Sequence, residues 1–260
     1  MSVKYTHRIH TILSMNKNVQ TSETEARAAV CIVSGGLDSV CTAAYLSKEK
    51  GYDLYMLTYI YGQRAKKEVQ HARRFSRVLK AKDYRIVDIA FMKDLYGRTN
   101  ALTDSKQYLP KKFDYSIVVP IRNAIFITIA TAWAMSIRAK LVAYGAHSGD
   151  IHYPDCRPEF IKSITRTLNL AEIDGIISGL RQKITIWSPA MDGMDKSKLL
   201  SIGYKIIGDE IFKTWSCYSD GVKSTSADIL HCGKCESCIN RKIAISKAGI
   251  EDKTHYAKNY

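Results

Sequence analysis

Ser34-Gly35-Gly36-Leu37-Asp38-Ser39 combines two glycines, two hydroxyls and a carboxylate within six residues. Ahead of it, Ala28 to Val33 is short, apolar and β-branched, which predicts a buried strand. Behind it, Val40 to Leu46 predicts a helix that ends near Gly51. The glycines let the chain turn sharply and bring backbone N–H groups against a bulky anion. The helix start adds N–H donors without partners and a positive dipole end. Asp38 could cap that helix or help to hold a metal. The chemistry is phosphate binding, but no lysine follows the glycines as in the G-x-x-x-x-G-K-[ST] loop.

A second group of reactive residues lies near the C-terminus. Cys232-Gly233-Lys234-Cys235-Glu236-Ser237-Cys238 places three thiols on a tight turn. A fourth ligand must come from elsewhere, and Cys217 is the nearest free candidate. Four cysteines would close a tetrahedral zinc shell, so a site at Cys217, Cys232, Cys235 and Cys238 is structural. An iron–sulfur cluster could use the same ligands. His231 could replace one cysteine but is poorly spaced beside Cys232.

Strands and helices alternate along the chain. Further strands are predicted at Asp53–Tyr61, Tyr84–Ala90, Ile117–Pro120, Leu141–Gly145 and 184–188. Helices are predicted from Arg64 to about Lys82, over Ile121–Ala139, 166–182, Lys196–Ile207 and 239–248. Residues 92–116 read as a polar lid or insertion. This alternation predicts an α/β fold with a doubly wound, mostly parallel sheet. Ligands of such sheets sit beyond the carboxyl ends of the strands. Gly35-Gly36, Gly62-Gln63-Arg64, Arg122-Asn123 and Gly145 to Arg157 all follow strands and should converge on one crevice. The expected divisions are an extension at 1–27, an α/β domain at 28–212 and a cysteine module at 213–260.

The chain has 260 residues with 39 Lys+Arg against 25 Asp+Glu, a formal charge of +14. That excess favours anionic ligands, ATP and RNA alike. The basic residues Lys66, Arg73, Arg77 and Lys80 share one predicted helix face, which reads as a solvated surface rather than an RNA site. Clustered cysteines in a nucleotide-binding chain point to a reducing, cytoplasmic setting. No apolar run reads as a membrane span, and residues 1–27 lack the apolar core of a signal peptide.

The loop resembles the S-G-G-x-D-S pyrophosphate loop of the N-type ATP pyrophosphatases. The ordered set of motifs resembles one branch, the QueC family of 7-cyano-7-deazaguanine synthases. These motifs are Ser34 to Ser39; Tyr61-Gly62-Gln63-Arg64 with Glu68; Val119 to Asn123; Tyr153-Pro154-Asp155-Cys156-Arg157-Pro158-Glu159-Phe160; Ser216-Cys217-Tyr218; Cys232 to Cys238; and Arg241. Residues 146–152 depart from the family pattern, although Asp150 matches its aspartate.

The resemblance implies attack at the α-phosphorus of ATP, with adenylation of 7-carboxy-7-deazaguanine. Ammonia then gives the amide, and a second ATP drives elimination to the nitrile. It implies that Val33, Ser34, Gly35, Gly36, Leu37, Asp38, Ser39, Val40 and Gly145 bind ATP with Mg²⁺. Asp38, Ser39 and Arg122 are the catalytic candidates. Gln63, Arg64, Asn123, Asp155, Arg157 and Glu159 are the substrate-binding candidates. Zinc would be structural, one per chain. Lys196 is read either as a phosphate-region residue or as a surface lysine. Cys156 reads as a packed thiol, because adenylation makes a thioester unnecessary. Partners are the small substrates, with a homodimer as a possible assembly, no membrane and no requirement for nucleic acid. Two alternatives use the same residues. One is a pyrophosphate-loop enzyme acting on a tRNA base or on another carboxylate. The other is a zinc-module nucleic-acid binder.

Overall fold

The computed structural model describes residues 27–223 and 229–257. The extension expected at 1–27 lies outside them except for Arg27. Five strands form one parallel sheet: β1 (Ala28–Ile32), β2 (Asp53–Ile60), β3 (Asp83–Asp88), β4 (Leu141–Ala143) and β5 (Thr185–Trp187). Their spatial order is β3-β2-β1-β4-β5. The chain winds outward from β1 to β3, then returns to the other side of β1. The switch point is therefore between β1 and β4, where Ala29 pairs with Leu141 and Cys31 with Ala143.

Both faces of the sheet are covered. On one face, α1 (Leu37–Lys48) and α2 (Lys67–Val78) pack on Ala29, Cys31, Leu54, Met56 and Ala143. A short helix, α3 (Met92–Tyr96), follows β3. On the other face, α4 (Arg122–Ser136) and α5 (Pro158–Ala171) pack on Val30, Leu57, Tyr59, Val142 and Ile186. The neighbouring residues Ala29 and Val30 thus enter opposite layers, as the two-residue period of a strand requires. A short α6 (Ile173–Ile177) leads towards β5. The doubly wound α/β fold is as predicted.

Helix α7 (Lys196–Ile207) and the C-terminal α8 (Glu236–Lys247) pack with α1 around Leu37, Cys41, Leu199, Leu200 and Ile245. A small antiparallel pair, β6 (Val222–Lys223) and β7 (Ile229–Leu230), precedes α8.

Four local expectations change. Residues 117–120 form no strand; Tyr115–Ile117 is a single 3-10 turn. Ile117 and Val119 instead point into the core beside α4, and Pro120 has no N–H to offer a ladder. The helix expected at 166–182 begins earlier, at Pro158, whose fixed φ suits a first helical position, and it ends at Ala171. Residues 92–116 are not a free lid throughout. Asn100, Ala101, Leu102 and Thr103 are buried, and Arg64 Nη1 donates to the carbonyls of Ala101 (3.2 Å) and Gln107 (2.8 Å). Finally, Tyr115–Ser136 is long and apolar enough to cross a membrane by composition. Only Arg122–Ser136 of that stretch, 15 residues, is α-helix (α4), and its Ile127, Ala130 and Ala134 are fully buried against the sheet.

Candidate active site and metal centre

Gly35 has φ +85°, and a Cβ there would meet Ala72 N at 2.5 Å and Glu68 O at 2.5 Å. Only glycine meets both conditions, the left-handed backbone and the close approach of α2. Gly36 is different. Its φ of −75° suits any residue, and it is the N-cap of α1. Gly36 faces the cleft, where a Cβ would crowd Ser34 Oγ at 3.2 Å. The turn requirement thus rests on Gly35, and the surface open to a ligand is at Gly36.

The loop is braced by its own hydroxyls. Ser34 N donates to Ser39 Oγ at 3.2 Å, Gly36 N to Ser34 Oγ at 3.2 Å, and Ser39 Oγ to Gly36 O at 3.1 Å. Trp215 N donates to Gly35 O at 2.9 Å, which fastens the cysteine module to the loop. Gly145, just past β4, lets the switch point close, since a Cβ would lie 2.7 Å from Ser39 N.

Asp38 sits at this junction. Lys196 Nζ, from the first turn of α7, is 2.7 Å from Asp38 Oδ2. Burial pushes the Asp38 carboxyl up, but Lys196 and His147 outweigh it and hold the group below its ordinary range. Lys196 loses from burial and gains more from Asp38, so its pKa is raised. His147 Nε2 lies 3.9 Å from Asp38 Oδ1 and 3.5 Å from Asp150 Oδ1.

The loop opens on a cleft of about 800 Å³, within the range of small-molecule sites. Among the expected residues, Ser34, Gly36, Leu37, Asp38, Ser39, Gly145, Gln63, Arg122 and Asn123 line it. Val33, Gly35 and Val40 stand behind this surface, and Val33 and Val40 are fully buried in the core. Arg122 Nη1 donates to Tyr61 OH at 3.2 Å, and its guanidinium lies over the Tyr61 ring at 5.6 Å. Burial opposes the Arg122 charge, but Tyr61 and Asp155 outweigh it and raise the pKa.

Several substrate-binding candidates are spent on the protein itself. Gln63 accepts from Tyr61 N (2.8 Å) and donates to Tyr59 O (3.0 Å). Arg64 holds the 101–107 segment. Asp155 uses one carboxylate oxygen on Asn123 N and the other on Asn123 Nδ2, each at 3.1 Å. It thereby caps the first turn of α4 beside Arg122. Arg157 Nε donates to Ile151 O at 2.8 Å on the exposed side. Among the described residues Glu159 is exposed, makes no side-chain hydrogen bond or ion pair, and does not line the cleft.

Cys156 faces the cleft with a buried thiol that accepts from Asn123 Nδ2 at 3.3 Å. Burial, then Asp150 and Asp155, push its pKa up, so it stays a thiol. That is the packed-thiol reading.

The sequence predicts the segment Gly145 to Arg157 at the crevice but gives no role to His147 within it, and Tyr218 and Glu236 on the cleft wall are not anticipated. Tyr218 OH donates to Glu236 Oε2 at 2.7 Å, and Asn240 binds Oε1. Glu236 follows Cys235 directly, so the thiol cluster places it. The Cys-x-x-Cys spacing was the only signal, and it pointed to the metal rather than to the residue between. Glu68, the acidic residue after Gly62-Gln63-Arg64, also lines the cleft, and burial pushes its carboxyl up to about 8, opposed by Arg122.

The Sγ atoms of Cys217, Cys232, Cys235 and Cys238 lie within 4.8 Å of one another. Cys232 and Cys238 are 3.9 Å apart. The edge of a tetrahedron with zinc–sulfur bonds is about 3.8 Å. The four thiols therefore fit a closed tetrahedral metal site. His231 is outside this group, with its ring against Trp215 at 4.4 Å.

The family model for the queuosine biosynthesis protein QueC matches residues 28–249. A 7-cyano-7-deazaguanine synthase of Caldicellulosiruptor saccharolyticus is 37% identical over 234 residues, 88% of this chain and 95% of that protein. One from Legionella pneumophila is 37% identical over 239 residues, 89% of this chain and 98% of that protein. Among solved structures, NMN synthetase from Francisella tularensis matches at a TM-score of 0.42 and 14% identity, covering 95% of this chain and 86% of that one. That likeness is too remote to argue from. With 222 consecutive residues matched and the motif residues gathered around one cleft, the chain belongs to the QueC family.

Proposed function

We propose that this protein converts 7-carboxy-7-deazaguanine, ammonia and ATP to 7-cyano-7-deazaguanine. The observation that carries this reading is the shared cleft. The Ser34–Ser39 loop forms one end, and Arg122, Asn123, Tyr153 and Cys156 form another part of the same wall. A phosphate site at the loop and a planar-ligand site at this wall would thus be contiguous, as adenylation of a heterocyclic acid requires.

The loop N–H groups and the start of α1 would hold the phosphates of ATP. Lys196 balances Asp38 and adds a positive charge where negative charge develops. Asp38 is the loop carboxylate that would hold Mg²⁺, which neutralises phosphate oxygens when bound. Arg122, fixed by Tyr61 and by Asp155 through Asn123, would orient the carboxylate. Tyr153 and Tyr218 present aromatic surface to the base. Cys156, held as a thiol, stays out of the covalent chemistry. Zinc in the four-cysteine site is structural, since four thiolates leave it no open position. Seven unpaired cysteines suit the reducing cytoplasm, and the small substrates need no nucleic-acid partner.

The test is product mass with the zinc-loaded protein, ATP·Mg²⁺, ammonium and the acid, each omitted in turn. Amide followed by nitrile, with AMP and pyrophosphate, is expected. Nucleotide products of ADP and phosphate alone, or modification of tRNA in place of the acid, would overturn the reading.

A further inference from the structure

Five carboxylates line the cleft: Asp38, Glu68, Asp150, Asp195 and Glu236. Four are committed or badly placed for a cation. Asp38 is paired with Lys196 and, in the function proposed above, is the carboxylate given to Mg²⁺. Asp195 Oδ1 accepts from Lys198 N at 2.8 Å as the N-cap of α7. Both oxygens of Glu236 are taken by Tyr218 and Asn240. Glu68 feels the half-buried Arg122 guanidinium, which would repel a second cation.

Asp150 is the exception. Its Oδ2 accepts from His147 N at 3.0 Å. Its Oδ1 accepts no hydrogen bond among the described residues, and His147 Nε2 stands 3.5 Å away. Gly149 N donates to His147 Nδ1 at 3.1 Å, which leaves the ring proton on Nε2, facing the carboxylates. His147 Nε2 lies within 3.9 Å of carboxylate oxygens of both Asp38 and Asp150. Asp150 O accepts from Tyr153 N at 2.9 Å, and Tyr153 O accepts from Cys156 N at 2.9 Å. Asp150 therefore lines the cleft between the loop carboxylate and the turn that carries Cys156.

We propose that Asp150 is the catalytic residue that captures ammonium and accepts its proton. This rests on the function proposed above. The Oδ1 oxygen holds the cation, and one N–H proton passes to it. The nitrogen lone pair adds to the carbonyl carbon of the adenylated acid. A C–N bond forms and the C–O bond to phosphate breaks, its electron pair leaving with AMP. The second proton leaves on the AMP phosphate oxygen. Ammonium and Asp150 carboxylate thus become amide nitrogen and Asp150 carboxylic acid, with charge conserved. Burial, then Asp38, raise the Asp150 pKa against the opposing pull of His147 and Lys196, which suits a proton acceptor.

The experiment compares wild type with Asp150→Asn, which keeps the acceptor for His147 N. Ammonium enters charged and must lose a proton before its nitrogen can attack, whereas hydroxylamine, largely uncharged at neutral pH, enters with its lone pair free. Acid-dependent ATP–pyrophosphate exchange reports adenylation alone. Asp150→Asn should cut kcat/KM for ammonium roughly 10- to 100-fold, the loss of one charge-assisted hydrogen bond. Exchange and hydroxamate formation should stay within about 3-fold. Equal losses with both nucleophiles, unchanged use of ammonium, or loss of exchange would each overturn the assignment. A wild-type protein with no acid-dependent exchange would instead overturn the proposed function. Thermal unfolding of both proteins, expected to coincide, separates misfolding from the loss of a proton acceptor.

Discussion

Lys196 Nζ lies 2.7 Å from Asp38 Oδ2, although 158 residues separate them. The pair joins the first turn of α1 to the first turn of α7, at the point where the phosphate loop faces the cleft. The side chains keep 17% and 28% of their exposure. The charges are thus partly desolvated yet open to a ligand on one side.

Lys196→Met should reduce ATP turnover at least about 100-fold, because a fixed charge at developing negative charge is lost. It should also destabilise the fold by about 1–3 kcal/mol at neutral pH, less than a fully buried pair because both groups retain contact with water. The Asp38 pKa is depressed in the folded state, so the pair's stabilisation is present above the unfolded value near 4. It is lost as pH falls through the lower folded value. Urea titrations of both proteins should therefore differ most near neutrality and converge in acid. A gap that widens below about pH 4 would contradict the pairing.

The two loop glycines should separate experimentally. Gly35→Ala should destabilise the protein by about 3 kcal/mol or more, from left-handed strain plus a clash with the backbone of α2. Gly36→Ala should cost under about 1 kcal/mol and mainly raise the KM for ATP, because its backbone is ordinary and its face is the ligand's. Chemical denaturation and ATP kinetics on the two variants would show whether the roles divide this way.

Cys235→Ala should release the metal, and elemental analysis should find one zinc per wild-type chain. Catalysis should fall with it, since Tyr218 and Glu236 reach the cleft from the module that the thiols organise. Structural zinc contributes folding free energy, so limited proteolysis should open the 214–257 region first. Wild-type turnover in a metal-free variant would contradict this coupling.

Cys156→Ser should retain activity within about 3-fold, since a hydroxyl can take the same Asn123 bond and no thiolate is needed. Alkylation of Cys156 in the native protein should be slow at neutral pH, because its pKa is raised. A variant with no turnover but full ATP–pyrophosphate exchange would restore a covalent role.

Asp155→Ala should destabilise by about 1–2 kcal/mol through loss of the cap on α4. It should weaken use of the acid by displacing Asn123 and Arg122. Asp155→Asn should recover part of the stability, measured by thermal unfolding.

The sequence by itself determined what is local. Apolar β-branched runs at 28–33, 53–61 and 141–145 specified parallel strands, whereas the similar run at 117–120, ended by Pro120, packs into the core without joining the sheet. The Ser34–Ser39 loop was legible because its glycines and hydroxyls act within six residues. Cys232, Cys235 and Cys238 were legible because their spacing brings three thiols onto one turn. Tertiary structure decided which side chains meet across the sheet. Asp155 reads from sequence as an acceptor for the substrate or a partner for Arg157, yet Asn123 occupies both of its oxygens. Gln63 and Arg64 follow a strand at the cleft edge, but their hydrogen bonds close on backbone. Lys196 read equally as surface or site until α7 packed against α1. A pattern of residue types gives each group's capacity for hydrogen bonds and charge; only the packed chain decides whether protein or ligand uses it.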